Sequence, residues 1–385
     1  MPYDALVIGG GLAGCSTALQ LARDGHDVLL AEQSTYPRQK LCGEFLSPEA
    51  QSSFRRLGVL DDVRAAGAKP IDQARLTTSS SAQTSHALPS AALGLSRYEL
   101  DALLFERACA AGADGRSGTR VTDVRGTLQD GFVATVGGEA VQARLVLGAY
   151  GRRGRLDRKM GRPFLSDTTP YVAFKAHYAG PAAADLAGTI ELHSAPGAYC
   201  GLSPVEQNRI NVCWIGHADA LKDAGGAAEG MIDTTLRQNP ALDERLSGLT
   251  RVSEGFEAVS QVPLMPKSRF ADDVCMVGDA AGMIAPLCGD GMAMALQTAD
   301  LVSPLASDVL DGRLPPRAFR TDYEAAWTDT FGRRMRLGRW IHAAAFQPGA
   351  AWTLVQGLRL VPPLARWLIR NTRGQQGAPA AAAPR

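Results

Sequence analysis

At 385 residues and 45% hydrophobic content, the chain is long enough for two domains of ordinary size, or for one large domain carrying an insertion. Its 40 basic and 39 acidic residues nearly cancel, which argues against nucleic acid as a partner and leaves any electrostatic role to local clusters. The 7 cysteines form no CxxC pair and no zinc-like spacing with histidine, so reduced thiols and no metal site are expected.

Tyr3 to Ile8 reads as a buried strand, Gly9 to Gly14 as a turn, Cys15 to Asp24 as a helix and Asp27 to Glu32 as a second strand, the opening of a Rossmann-like βαβ unit. A polar passage from Thr77 to Ser85 precedes an amphipathic helix from Glu99 to Ala110, and strand character returns at Ala143. From Tyr171 to Val262, short alternating runs broken by Gly, Pro and Asn predict an antiparallel sheet. The stretch "DDVCMVGDAAGMIAP" then predicts a buried strand and a turn, followed by a helix from Gly291 to Leu305. Helical composition runs from Phe331 to Gly374, interrupted by Pro348, Pro362 and Pro363, and the tail "GQQGAPAAAAPR" has too little apolar bulk to pack. The expected fold class is α/β: a Rossmann-like domain over 1–165 completed by 266–310, an antiparallel β-sheet substrate domain over 166–265, C-terminal helices over 311–374 and a disordered tail over 375–385. No apolar run reaches the ~18 residues of a spanning helix. The start "MPYDALVIGGG" lacks a basic segment ahead of an apolar one, so a cytoplasmic location is expected, with attachment to a membrane surface left open.

"GGGLAG" sets Gly9, Gly11 and Gly14 as GxGxxG around Leu12 and Ala13: the first for a tight turn, the second for close approach of a pyrophosphate, the third for helix packing. Glu32, followed by Gln33, ends the second strand where a carboxylate accepts hydrogen bonds from ribose hydroxyls and repels a 2′-phosphate. This fingerprint does not separate NAD from FAD. The second glycine cluster, "VGDAAGMIAPLCGDGM", holds Gly278, Asp279, Pro286, Gly289, Gly291 and Met292 at the mouth of a long helix. Asp279 there suits a ribityl hydroxyl, and the helix N-terminus suits negative charge on a reduced flavin; the plain alternative is a capped strand-turn-helix.

Those motifs, together with Arg97 in "SRYELD" and the strand ending "GAYG", resemble the FAD-dependent oxidoreductases of the p-hydroxybenzoate hydroxylase fold. Among these the chain is most similar to the geranylgeranyl reductase group and its relatives near polyketide biosynthesis, from roughly Pro2 to Ala306. The resemblance implies FAD as cofactor, with Glu32 on the adenosine ribose, Arg97 near the flavin's phosphate or ring side, and Asp279 on the ribityl chain. In that group a "KxCG" segment places its cysteine by the isoalloxazine, and Lys40, Cys42 and Gly43 match it. Cys42 would then donate a proton or tune the flavin, with Lys40 lowering its pKa; its plain alternative is a small apolar filler. "APGAYCGLSPVE" resembles the segment lining a long apolar cavity, which makes Tyr199 and Cys200 pocket residues, or else an ordinary edge strand and turn.

One position departs from the pattern. Tyr150-Gly151 stands where hydroxylases of this fold have Asp-Gly, and tyrosine does not supply the same acceptor, so the electron donor is left open between NAD(P)H and a separate donor protein. The basic loop "GRRGRLDRK" is a phosphate site or a solvated turn. Flavin halogenases share a likeness at "GEFLSP", but their WxWxIP motif is absent and Trp214 stands alone. His177 and His193 alternate with apolar neighbours and read as hydrogen-bonded strand histidines.

The expected substrate is a lipophilic or aromatic small molecule. The enzyme is expected to act as a C=C reductase of a prenyl or polyketide chain, as a monooxygenase of an aromatic or polyketide substrate, or as a flavin-binding protein without catalysis. From Phe331 to Gly374, Arg333, Arg334, Arg336, Arg339, Arg359, Arg366, Arg370 and Arg373 occur with no Asp or Glu, among Trp340, Trp352 and Trp367. Such helices either cap the substrate domain or lie against an anionic bilayer.

Overall fold

A computed structural model describes residues 1–262, 265–361, 363–364, 367–368 and 371. Strand β1 (Tyr3–Ile8) is apolar on both faces because it lies inside a sheet covered on both sides. Helix α1 (Leu12–Arg23) starts inside the glycine fingerprint and returns the chain to β2 (Val28–Ala31), which pairs parallel with β1. A Cβ at Gly14 would lie 1.8 Å from the Gly9 carbonyl oxygen, so this helix reaches its turn only with glycine there.

The polar passage at Thr77–Ser85 is the end of a hairpin, β3 (Lys69–Thr78) and β4 (Gln83–Gly94), that belongs to the second sheet. That sheet is therefore not confined to residues 166–265. Helix α2 (Arg97–Ala110) begins two positions before Glu99, where the Ser96 hydroxyl accepts the Glu99 amide proton at 3.2 Å. Strand β5 (Glu139–Gly148) then lies parallel to β1 on the side away from β2.

Four longer strands follow: β6 (Tyr171–Ala179), β7 (Gly188–Ala195), β8 (Ala198–Val205) and β9 (Arg209–His217). They pair in the order β6, β9, β8, β7 and continue into β3 and β4; only the β7–β3 pair among these is parallel. The expected run of strands is interrupted after His217 by three short helices, Ala218–Asp223, Ala228–Thr234 and Pro240–Ser247, and resumes at Thr250–Arg251 and Glu257–Ser260, which pair antiparallel with β6. Met231, Leu242 and Leu246 of the helices cover one face of the sheet with Phe174, Cys200 and Trp214. The other face of β6, carrying Ala173, Lys175 and His177, turns toward the chain segment that follows β2.

Strand β10 (Val274–Met276) completes the first sheet beside β5. Helix α3 (Gly291–Leu310) outlasts its expected end at Leu305, and α4 (Pro316–Ala345) runs through Phe331 as one helix rather than starting there. Helix α5 (Pro348–Leu360) has Pro348 in its first turn, where a missing amide proton costs no helical hydrogen bond. The segments expected to be helical at Arg366, Arg370 and Arg373, and the tail expected to be disordered, lie outside the described residues.

Candidate active site

Two cavities adjoin at the glycine fingerprint, and the larger extends from there to the second sheet. The larger, of about 190 Å³, runs from Gly11 to Ile215 and Val262; the smaller, of about 110 Å³, runs from Gly9 to Arg120; Gly11, Lys40 and Ala149 line both. Of the residues singled out in sequence, Gly11, Leu12, Ala13, Lys40, Cys42, Gly43, Arg97, Asp279, Pro286, Gly289, Gly291 and Met292 line the larger cavity. Gly9, Glu32 and Gln33 line the smaller. Gly14 and Gly278 stand behind the walls, where a Cβ on Gly278 would come within 2.8 Å of the Ala13 side chain.

At the adenosine-like end, the Glu32 carboxylate accepts the amides of Gly10 at 2.8 Å and Ser34 at 2.9 Å, and Arg38 lies 3.3 Å from it. These bonds fix its direction and leave lone pairs for further donors. Arg97 grips the fully buried Asp101 one helical turn on, at 2.6 and 2.8 Å, and Arg38 reaches the same carboxylate. A side chain at Gly11 would fill the space in front of two cations, since its Cβ would sit 3.5 Å from the Arg97 guanidinium and 3.9 Å from the Lys40 ammonium. Burial, reinforced by the nearby Arg97 charge, brings Lys40 down to about 8. The N-terminus of α1 adds uncapped amides with no acid in its first turn.

Cys42 sits between these groups and the second sheet. Burial pushes its thiol up, against the pull of Arg97, so the sulfur keeps its proton, and the lowering expected from Lys40 does not prevail. Its loop is fixed by Glu44, whose carboxylate bonds the Lys175 ammonium, takes the Arg97 amide at 2.8 Å and meets His177 at 2.6 Å. Burial opposes the charge on Glu44, but the Lys175 and His177 partners outweigh it and hold the carboxyl below its usual range. His193 is also hydrogen-bonded, 2.7 Å from Thr77 and 3.1 Å from Glu191.

Tyr150 lines the smaller cavity and donates its hydroxyl to Asp157 at 2.9 Å, a carboxylate already paired with Arg162 at 2.8 Å. That hydroxyl is committed inside the protein. In the basic loop, the Arg153 guanidinium bonds Gln261, and Arg152 lines the larger cavity.

Strand alternation separates the two expected pocket residues. Cys200 faces the short helices and touches neither cavity, which corrects its placement in the pocket. Tyr199 faces the other way but stands one layer behind the wall, with Ala173, Ile215 and Val262 in front of it. Sequence reading also passed over Arg38, Glu44, Lys175 and the pair formed by Asp290 and Arg334. Only Asp101 carried a local signal, four positions after Arg97 on the same helix face.

The FAD binding domain family model matches residues 2–325. The chain belongs to this family. It is an FAD-dependent oxidoreductase, and several of the proteins it is similar to are reductases by name: it is 28% identical over 345 residues to the menaquinone reductase of Mycolicibacterium smegmatis, covering 84% of this chain and 79% of that one. It is 26% identical over 363 residues to digeranylgeranylglycerophospholipid reductase 2 of Methanothermobacter thermautotrophicus, covering 87% and 86%. The fold matches that of the flavin-dependent brominase Bmp2 with a TM-score of 0.78 and 18% identity, over 97% of this chain and 93% of that one. The donor set fits FAD: an open glycine before two cations for a diphosphate, a directed carboxylate for a ribose, and apolar walls beyond.

Two expectations follow from the charges. Above pH 8 the Lys40 ammonium loses its proton, so FAD affinity of the apoprotein should fall between pH 7.5 and 9.5, and Lys40→Met should bind more weakly at pH 7.5 with most of that slope gone. Parallel pH profiles for the two proteins in fluorescence titrations would exclude Lys40 from the diphosphate. Elsewhere, Arg334 of α4 is buried against Asp290 at 2.7 Å, and burial, opposed by Arg334, raises Asp290 to about 6. Arg334→Leu should therefore destabilise the fold by about 3–5 kcal/mol, and adding Asp290→Asn should recover most of that loss in urea unfolding.

Proposed function

We propose that this oxidoreductase reduces a carbon–carbon double bond in a lipophilic small molecule, such as a prenyl or polyketide chain. The observation that carries the reading is a protonated cysteine, Cys42, in the wall of a cavity whose far end is built from Leu41, Ala173, Ile215, Val259 and Val262. The names of the reductase relatives point the same way.

In this reading Glu32 holds the adenosine ribose, Gly11, Lys40 and Arg97 hold the diphosphate, and Asp279 holds the ribityl chain. FAD, when bound and reduced, supplies a hydride to one carbon of the double bond. Cys42 holds the proton for the adjacent carbon, so that hydride and proton together saturate the bond. Arg97 then faces the sulfur as its charge develops, and the thiol is restored from solvent. Leu41 and the β-sheet side chains exclude water from the reacting carbons. Because the Tyr150 hydroxyl is spent on Asp157, the electrons reach the flavin from a separate donor protein rather than through a nicotinamide held at Tyr150.

The C-terminal helices carry the contact with a membrane surface. Trp340 is 78% exposed and Leu360 75% exposed, and Arg333, Arg336, Arg339 and Arg359 are exposed beside them. Arg334 leaves this group, since it is buried on Asp290. Among the described residues no helix is long and apolar enough to cross a membrane, so the contact is one of adsorption.

Cys42→Ala should keep FAD and its visible spectrum while turnover falls about 100-fold or more, the usual scale for a lost proton donor. Turnover within twofold of the wild type would relegate Cys42 to packing. Vesicles containing phosphatidylglycerol should sediment the protein at low salt, and Trp340→Ala with Trp352→Ala should weaken that binding at least fivefold. Absence of sedimentation at low salt would remove the membrane contact.

A further inference from the structure

Behind the far wall of the cavity lies a group of side chains that the reaction above leaves unused. The hydroxyl of Tyr199 and both ring nitrogens of His342 are buried without a hydrogen-bond partner among the described residues. Tyr199 is 5% exposed and His342 3% exposed. Their rings pack edge to face, with centroids 5.9 Å apart, and Tyr171 and Phe346 close the group, 4.9 and 4.8 Å from His342. Such atoms are costly to bury unmatched, and three in one place mark a site built for a partner. The Leu287 backbone acts on the Tyr199 oxygen as an acceptor, against the effect of burial, so the O–H donor stays unspent.

Position decides what the partner is. Tyr199 belongs to the same apolar cluster as Ala173, Ile215 and Val262, which are themselves the wall of the larger cavity. The cluster draws on β6, β8, β9 and the end of α4, and among the described residues no lysine or arginine figures among the charges acting on Tyr199 or His342. Burial takes His342 down to about 4 and pushes the Tyr199 phenol well up, so both groups stay neutral across the working range. A neutral imidazole and a phenol offer one N–H, one O–H and acceptor lone pairs, framed by aromatic rings. The cations of the site, Lys40, Arg97 and Arg152, line the fingerprint side of the cavity instead, alongside Gly11.

We propose that Tyr199 and His342 form the head-group subsite of the substrate cavity, selecting an uncharged planar ring that bears hydrogen-bonding oxygen and rejecting a phosphate or diphosphate head. The proposal rests on the reading of this cavity as the substrate site. It divides the substrates borne by lipophilic chains into two chemical classes: quinones, quinols and phenols enter, whereas prenyl diphosphates and phospholipids meet neutral groups where their anion needs a counter-charge.

The test is binding to the oxidised, FAD-loaded protein with no electron donor present, so that turnover plays no part. The probes are 2-methyl-1,4-naphthoquinone, 2-methylnaphthalene, which lacks both oxygens, and geranylgeranyl diphosphate, each titrated by calorimetry. The naphthoquinone should bind at least tenfold more tightly than the hydrocarbon. Tyr199→Phe and His342→Leu should each weaken it about 5- to 30-fold, the equivalent of one lost hydrogen bond, and leave the hydrocarbon unchanged. Tyr199→Phe removes an unmatched hydroxyl, so an undiminished melting temperature certifies its fold. Unchanged naphthoquinone affinity in both variants would mean that these atoms serve only water, and tighter binding of the diphosphate than of the naphthoquinone would overturn the selection. Because no reduction occurs in this experiment, its failure leaves the role of Cys42 standing, and failure of the Cys42 variant leaves the head-group result standing.

Discussion

The Glu44 carboxylate is buried where three parts of the chain meet. It takes the amide of Arg97 at the start of α2 and binds Lys175 and His177 on β6, while its own backbone sits at φ +54, a left-handed conformation uncommon outside glycine. Residues 40–45 cross from the nucleotide-binding sheet to the second sheet, and this one carboxylate fastens the crossing. Lys40 and Cys42 lie on the segment it fastens: Lys40 lines both cavities and Cys42 the larger one. An unpaired charge at such a depth would cost about 3–5 kcal/mol, so the three partners are needed together. That mutual need accounts for a lysine and a histidine on the inner face of an otherwise apolar strand.

Charge is then graded along the site. Lys40, Arg97 and Arg152 line the larger cavity near Gly11, and Lys267 is buried nearby, donating to the Arg152 and Asp279 carbonyls. Burial takes Lys40 and Lys267 each down to about 8, the mark of cations kept short of solvent. A diphosphate relieves that cost, so the protein without cofactor is the strained partner and FAD supplies part of its stability. Toward the second sheet the lining becomes apolar, and the last polar atoms are neutral.

How much of this is legible in sequence follows from separation along the chain. The fingerprint, Glu32 and the second glycine cluster are each complete within a short stretch, because a turn and the helix it opens are local objects. The hairpin of β3 and β4 escaped because Gln73, Arg75, Gln83 and Ser85 face away from the core and give the passage a loop-like polarity. Glu44 finds its partners 53, 131 and 133 residues away, and Arg334 reaches Asp290 across 44, so no window of sequence contains either network. Cys200 was misplaced because each step along a strand reverses the face, and that same step puts Tyr199 on the cavity side, one layer behind the wall.

Whether the bound flavin saturates a double bond is decided by one anaerobic turnover. FAD-loaded protein, fully reduced and free of oxygen, would be mixed with a prenylated naphthoquinol and the product weighed by mass spectrometry. The account predicts a product heavier by two hydrogens, formed one for one with oxidised flavin and without oxygen. No product until air is admitted, and then one heavier by a single oxygen atom, would contradict it and make the enzyme a hydroxylase.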